Sequence, residues 1–255
     1  NRYHHSIRDE ERHMSILLKS TPQSDSPVVT LPTLRLEEMA QLHAKMSEQY
    51  GVSATQRADT SGHRLAQLAR ALLSGSAPYD IDYNDTDVDL EDRPILILAG
   101  IGTNGGVGLA AARFLEEWGG WVQVVTTHPL EVYQSDEAAP ETLYTMNELQ
   151  KADVATAWAE DGWELPPADL LIDAMSDPVP DLIQLSNSHQ APVLSAGLPT
   201  GIDPDTGSYD QSPIRAAASA ALGFPFAGLT NKESSGFCGN IYLVDIGIPN
   251  ELYSQ

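Results

Sequence analysis

The chain has 255 residues, 42% of them hydrophobic, with 14 basic against 36 acidic side chains and a formal net charge of −22. That length suits one large domain with an arm, burying roughly three quarters of its unfolded surface. The apolar content excludes a disordered chain, the acidity disfavours nucleic acid and anionic membranes as partners, and no apolar run reaches the ~18 residues of a membrane span.

The acidic surplus reads either as plain solubility or as adaptation to high salt, where self-repulsion is screened. Cys238 stands alone, so an intrachain disulfide and a Cys-based structural zinc site are both excluded. The start, "NRYHHSIRDEERHM", has no hydrophobic signal core. A cytoplasmic setting is the expectation.

Residues 1–30 read as a flexible arm, equally native or partly a vector remnant, with proline, serine and threonine marking a linker from 20 to 33. The domain proper is expected over 31–255. A first helix is predicted from Leu36, Met39, Leu42, Met46 and Tyr50, with Thr33 as N-cap and Gly51 as stop. A second, "SGHRLAQLARALLSG", puts Leu65, Leu68, Ala69 and Leu72 on one face. The acidic stretch 79–93 reads as a solvated loop.

From Pro94 the pattern changes. Apolar runs recur at 95–99, 121–127, 169–174, 192–197, 220–224 and 241–247, and helix-length stretches at 108–118, 141–160 and 178–190 separate most of them. Continuous apolar strands alternating with helices predict an α/β fold around a mainly parallel sheet covered on both faces.

After the first strand, Gly100, Gly102, Gly105, Gly106 and Gly108 crowd into nine residues. Gly100, Gly102 and Gly105 form G-x-G-x-x-G between strand and helix, where backbone N–H groups and a helix N-terminus can approach a phosphate. An ordinary NAD site also wants a carboxylate ending the second strand, but Thr126, Thr127 and His128 stand there. A Walker lysine, a G-x-S-x-G elbow and metal-ligand histidine spacing are missing, so a P-loop nucleotidase, an α/β-hydrolase and a zinc enzyme are set aside. The glycines either make a tight turn or open a surface to a ligand; their number favours the ligand. Asp173 ends another apolar strand, and Gly197–Gly201 follow a further one. Asp173 reads either as a helix cap or, with the Asn104 amide and the Thr200 hydroxyl, as part of a hard-cation site. One carboxylate suits a monovalent ion or a weakly held divalent one.

Together, "GIGTNGGVGLAAARFL", "LLIDAMSD" and "VLSAGLPTGIDPDTG" resemble the NAD(P)H-hydrate epimerase, or YjeF N-terminal domain, family. They stand beside the family's G-P-G-N-N-G-G-D-G, its strand ending in D-A-L-F-G, and V-D-I-P-S-G-I-D-A-D-T-G; the likeness runs from about Leu34 to Pro249. It implies a three-layer α/β/α sandwich with a Rossmann-like sheet and two N-terminal helices. It implies interconversion of the two epimers of hydrated NADH or NADPH, feeding a dehydratase partner, and a homodimer. It also implies potassium held by Asn104, Asp173 and Thr200, and a nucleotide-type ligand facing Gly102, Thr103, Asn104, Gly105, Gly106, Val107, Asp177 and Gly197.

The chain departs from that pattern at the chemistry. The family's aspartate in V-D-I-P-S-G falls on Gly197, the aspartate of N-N-G-G-D-G on Val107, a frequent lysine on Phe226, and the loop's first Asn on Thr103. The resemblance therefore implies a ligand-binding member whose catalysis is impaired or repurposed, unless a carboxylate such as Asp177 or Asp203 substitutes. An active epimerase and a noncatalytic dimeric interaction module, like the related domain of an mRNA-decapping scaffold, are the alternatives. Carboxylates converging near Gly197 would favour an enzyme; an apolar, filled pocket would favour the module.

Overall fold

The computed structural model describes residues 32–74, 90–160 and 163–253. The arm, much of the linker and most of the acidic stretch lie outside the described residues. Within them, seven strands form one sheet: β1 (Pro94–Ala99), β2 (Trp121–Thr126), β3 (Ala155–Trp158), β4 (Leu170–Ala174), β5 (Val193–Ala196), β6 (Ala218–Leu222) and β7 (Asn240–Val244). All neighbours are parallel, in the order β3-β2-β1-β4-β5-β6-β7.

The "ILILA" run behaves as a strand buried on both faces. Ile95, Ile97 and Ala99 join a core beneath the helices α1 (Leu36–Tyr50), α2 (Ala54–Leu73), α3 (Thr103–Glu117) and α5 (Pro140–Lys151). Leu96 and Leu98 point the other way, into a core with Leu182 and Ile183 of α6 (Pro180–Ser188). A single turn, α4 (Leu130–Tyr133), follows β2. The result is the three-layer Rossmann-like sandwich with two leading helices that the sequence implies.

Several boundaries differ from expectation. The N-cap of α1 is Arg35, not Thr33: the Glu38 carboxylate accepts from Arg35 N at 2.8 Å, and Asp205, far along the chain, accepts from Leu36 N at 2.7 Å. The stop at Gly51 holds, in the left-handed region at φ 69°. The second helix begins seven residues before "SGHRL", because Ser53 and Gln56 form a reciprocal capping box. The stretch 141–160 is not one helix. After α5 the chain enters β3, a four-residue edge strand whose half-exposed Ala-Thr-Ala-Trp shows no apolar run.

The third helix starts at Thr103, not 108, so most of the glycines lie inside it. A Cβ on Gly105 would overlap the Gly100 carbonyl oxygen, and one on Gly108 would overlap Ala174. These glycines let α3 press onto the ends of β1 and β4. For them, close packing of the helix against the strand ends stands in place of both a tight turn and an open surface.

Candidate functional site at the sheet's switch point

The chain runs outward from β1 to β2 and β3, then crosses back to β4 on the other side of β1, so the strand order reverses between β1 and β4. The crevice at the carboxyl ends of β1 and β4 is where open α/β sheets bind ligands. Three turns meet there: Gly100–Gly102 after β1, Met175–Pro178 after β4, and Gly197–Gly201 after β5. A cleft of about 450 Å³, within the range of small-molecule sites, lies among Gly102, Thr103, Asn104, Ser176, Asp177 and Leu198–Ile202. Leu36, Met39 and His43 of α1 form its outer wall. A separate groove of about 620 Å³ between α6 and residues 210–215 meets this region at Gly201.

Beneath the cleft, behind Thr200, lies a buried carboxylate. Asp173, 1% exposed, receives Thr200 Oγ1 (2.6 Å) and Met175 N (3.3 Å) at Oδ1, and Ser195 Oγ and Thr200 N (both 2.9 Å) at Oδ2. Burial pushes its pKa up, while the bonds from Thr200, Ser195 and Met175 pull it down. On balance burial wins and the pKa is raised; the four contacting groups are all uncharged. Among the described residues no lysine or arginine pairs with it, so its charge is solvated only by neutral groups. Asp173 caps no following helix; its bonds tie β4 to β5 and to the turn after β5.

Of the three residues expected around a cation, the structure joins Asp173 to Thr200. Asn104 Nδ2 donates to the Ala196 carbonyl at 3.0 Å, at the carboxyl end of β5. Buried negative charge and side-chain oxygens on all three residues suit a hard, weakly charged cation. Among the described residues no cluster of three or more His, Cys, Asp or Glu side chains gathers to hold a metal.

Behind Thr103 and Asn104 lies a smaller cavity of about 70 Å³. Val107, Gly197 and Phe226, three positions where the sequence departs from the family pattern, all line it. Gly197 has φ +82°, and a Cβ built on it would approach only Asn104 Nδ2, at 3.8 Å. Glu141, from the first turn of α5, faces the same cavity and accepts from Thr103 Oγ1 at 2.7 Å. His43 also lines it; burial, reinforced by the nearby Arg57 charge, lowers its pKa to about 4, so it is neutral at pH 7.

Of the expected ligand-facing residues, Gly102, Thr103, Asn104 and Asp177 border the cleft, and Val107 and Gly197 border the cavity. Gly105 and Gly106 line neither: their missing side chains leave room for Gly100 and Thr142. Asp203 is also away from both, since its Oδ1 is occupied by Asp205 N, Thr206 N and Thr206 Oγ1 in an exposed turn. Glu141 was missed, because one carboxylate in a helix's first turn has no distinguishing spacing in sequence.

A parallel sheet with helices on both faces and a cleft at its switch point defines the class of Rossmann-like α/β folds. The chain belongs within it to the family described as YjeF-related protein N-terminus, whose model matches residues 54–228. It is 24% identical to an NAD(P)H-hydrate epimerase of Rhodopirellula baltica over 90% of both chains. It is 28% identical, over 89% of its length, to a bifunctional NAD(P)H-hydrate repair enzyme of Salinibacter ruber, but spans only 42% of that protein. An NAD(P)H-hydrate epimerase of Truepera radiovictrix is 32% identical over 64% of this chain and 73% of its own. The crystal structure of the yeast protein ynu0 shares the fold, with a TM-score of 0.66 at 21% identity, covering 87% of this chain and 92% of that one. Among the described residues no helix is long and apolar enough to cross a membrane.

Proposed function

We propose that this chain binds a hydrated NADH or NADPH in the switch-point cleft and that its epimerase chemistry is weakened. The observation carrying this reading is the missing side chain at Gly197 on the cavity wall, where the family resemblance calls for an aspartate. Losing a positioned general acid or base costs on the order of 10²- to 10⁴-fold in rate. The relatives' names supply the substrate class. The phosphates belong at the N-terminus of α3, whose Gly102 cap offers no side chain to its first N–H groups. The nicotinamide end then lies toward Asn104 and Gly197.

Asn104, Asp173 and Thr200 would hold a potassium ion, which would neutralise the buried Asp173 charge and favour an oxygen-rich ligand beside it. Under the same reading the chain is a homodimer and its product passes to a dehydratase.

The test is calorimetric titration with hydrated NADPH and with NADP-type nucleotides. It is paired with conversion of the R to the S epimer, read by a dehydratase that consumes the product. Binding with slow turnover is expected. Rapid wild-type turnover would instead favour an unimpaired epimerase, a reading supported by the Glu141 carboxylate in the cavity. Absence of binding by any nucleotide would sink both readings.

A further inference from the structure

The cavity that has lost polar groups at Val107, Gly197 and Phe226 still has a carboxylate on its wall, and it comes from a different element. Glu141 is 7% exposed. An acidic residue in a helix's first turn ordinarily serves that helix's own N–H groups. Glu141 instead accepts at Oε1 from Thr103, on α3. Among the described residues no donor reaches its Oε2. A buried carboxylate oxygen without a donor is costly to keep, and it is suited to receive one from a ligand.

The surroundings hold Glu141 in place. Thr142 Oγ1 donates to the Gly102 carbonyl at 2.8 Å and Ala139 N to the Ile101 carbonyl at 2.9 Å, which stitches the start of α5 to the turn before α3. Arg57 also lines this cavity and lends it positive potential, but its guanidinium donates to Ser47 Oγ and the Val52 carbonyl rather than to Glu141. His43 is the remaining titratable group on this cavity. The cavity and the cleft adjoin along Met39, His43, Thr103, Asn104 and Phe226, which line both, so Glu141 stands just across that boundary from the cleft.

We propose that Glu141 is the catalytic carboxylate of this protein, taking from α5 the proton-transfer role left vacant at Gly197. The assignment rests on reading the cleft as a site for hydrated NAD(P)H. In the hydrate, the epimerised carbon carries a hydroxyl beside the ring nitrogen. Glu141 takes the hydroxyl proton, a C=O bond forms, and the C–N bond breaks with its electron pair going to nitrogen, conjugated with the ring's carboxamide. Rotation presents the other face of the carbonyl. The nitrogen then attacks that carbon, the C–N bond re-forms, and Glu141 returns the proton to oxygen. Atoms and electrons balance with no oxidant or reductant, and one carboxylate serves both directions.

The test compares wild type with Glu141→Gln and Thr103→Val, using hydrated NADPH. Glu141→Gln keeps an acceptor for the Thr103 hydroxyl, so its melting temperature and its affinity, read by calorimetry, should stay close to wild type. Its kcat should fall at least about a hundredfold, and the carboxyl limb of the pH–rate profile should disappear. Thr103→Val, which releases Glu141 and also alters the cleft lining, should lose about tenfold in kcat and retain that limb. Equal turnover by wild type and Glu141→Gln would overturn the proposal while leaving the cleft reading intact. Binding by wild type without any turnover would overturn it as well, leaving a binding protein. No binding by wild type would remove the cleft reading and the proposal together.

Discussion

Replacing Gly197 by aspartate separates backbone cost from chemistry. Gly197 sits at φ +82°, in the left-handed region, where an L side chain pays roughly 1–2 kcal/mol. Steric cost adds little, since the nearest atom to a new Cβ is Asn104 Nδ2 at ordinary van der Waals distance, 3.8 Å. At roughly 2–4 °C per kcal/mol for a domain of this size, Gly197→Asp should lower the melting temperature by about 2–8 °C. Gly197→Ala pays the same strain without a carboxylate and should fall at least as far, because a short polar side chain bonds locally in this conformation. The two variants should diverge in activity. Gly197→Asp should raise the conversion of the R to the S epimer at least about tenfold, while Gly197→Ala should not. Paired thermal melts and coupled turnover assays read both effects. An alanine variant as stable as wild type would refute the strain argument. An aspartate variant no faster than the alanine one would refute the idea that the missing carboxylate limits this site.

Three further outcomes follow from the same geometry. The His43 pKa is depressed to about 4 from 6.5, so the unfolded state binds the extra proton between those values; stability is full above pH 6.5 and lost as pH falls toward 4, by at most about 3 kcal/mol. Urea midpoints across that window should shift less in His43→Gln than in wild type, and equal slopes would contradict the assignment. Asp173→Asn turns an amide NH₂ toward donors and should cost about 1–3 kcal/mol; it should also abolish any rise in melting temperature caused by potassium over an equal concentration of tetramethylammonium. A rise that persists in the variant would place the cation elsewhere. With a net charge of −22, the wild-type melting temperature should climb as the Debye length falls from about 30 Å to 3 Å, and a flat response would leave the acidic surplus as a matter of solubility alone.

The sequence by itself determined the strands and their layering. A run such as "ILILA" has nowhere to go but the middle of a parallel sheet, because every residue in it must be buried on one face or the other. The first helix ends where Gly51 was expected to stop it, since the αL conformation is a local preference. Local signals failed where the deciding partner was distant. Arg35 begins α1 in part because Asp205 satisfies Leu36 N, and no window of sequence around Thr33 contains that carboxylate. Edge strand β3 hides inside a helix-length stretch of sequence because its four half-exposed residues have no apolar run.

At the site, residue types in a turn could be read from the chain, but directions could not. Gly100, Gly105 and Gly108 suggested an opening, yet tertiary packing uses each to bring backbone or Ala174 closer. Asp173 was legible as the end of a strand, but the four groups that hold its buried carboxyl come from β5, the turn after it and its own chain two residues on. Only the fold decided that Glu141, in a helix of no apparent interest, should face the cavity beside Gly197. A cavity's lining is set by which elements cross, and that crossing is fixed by the burial of residues far from the cavity itself.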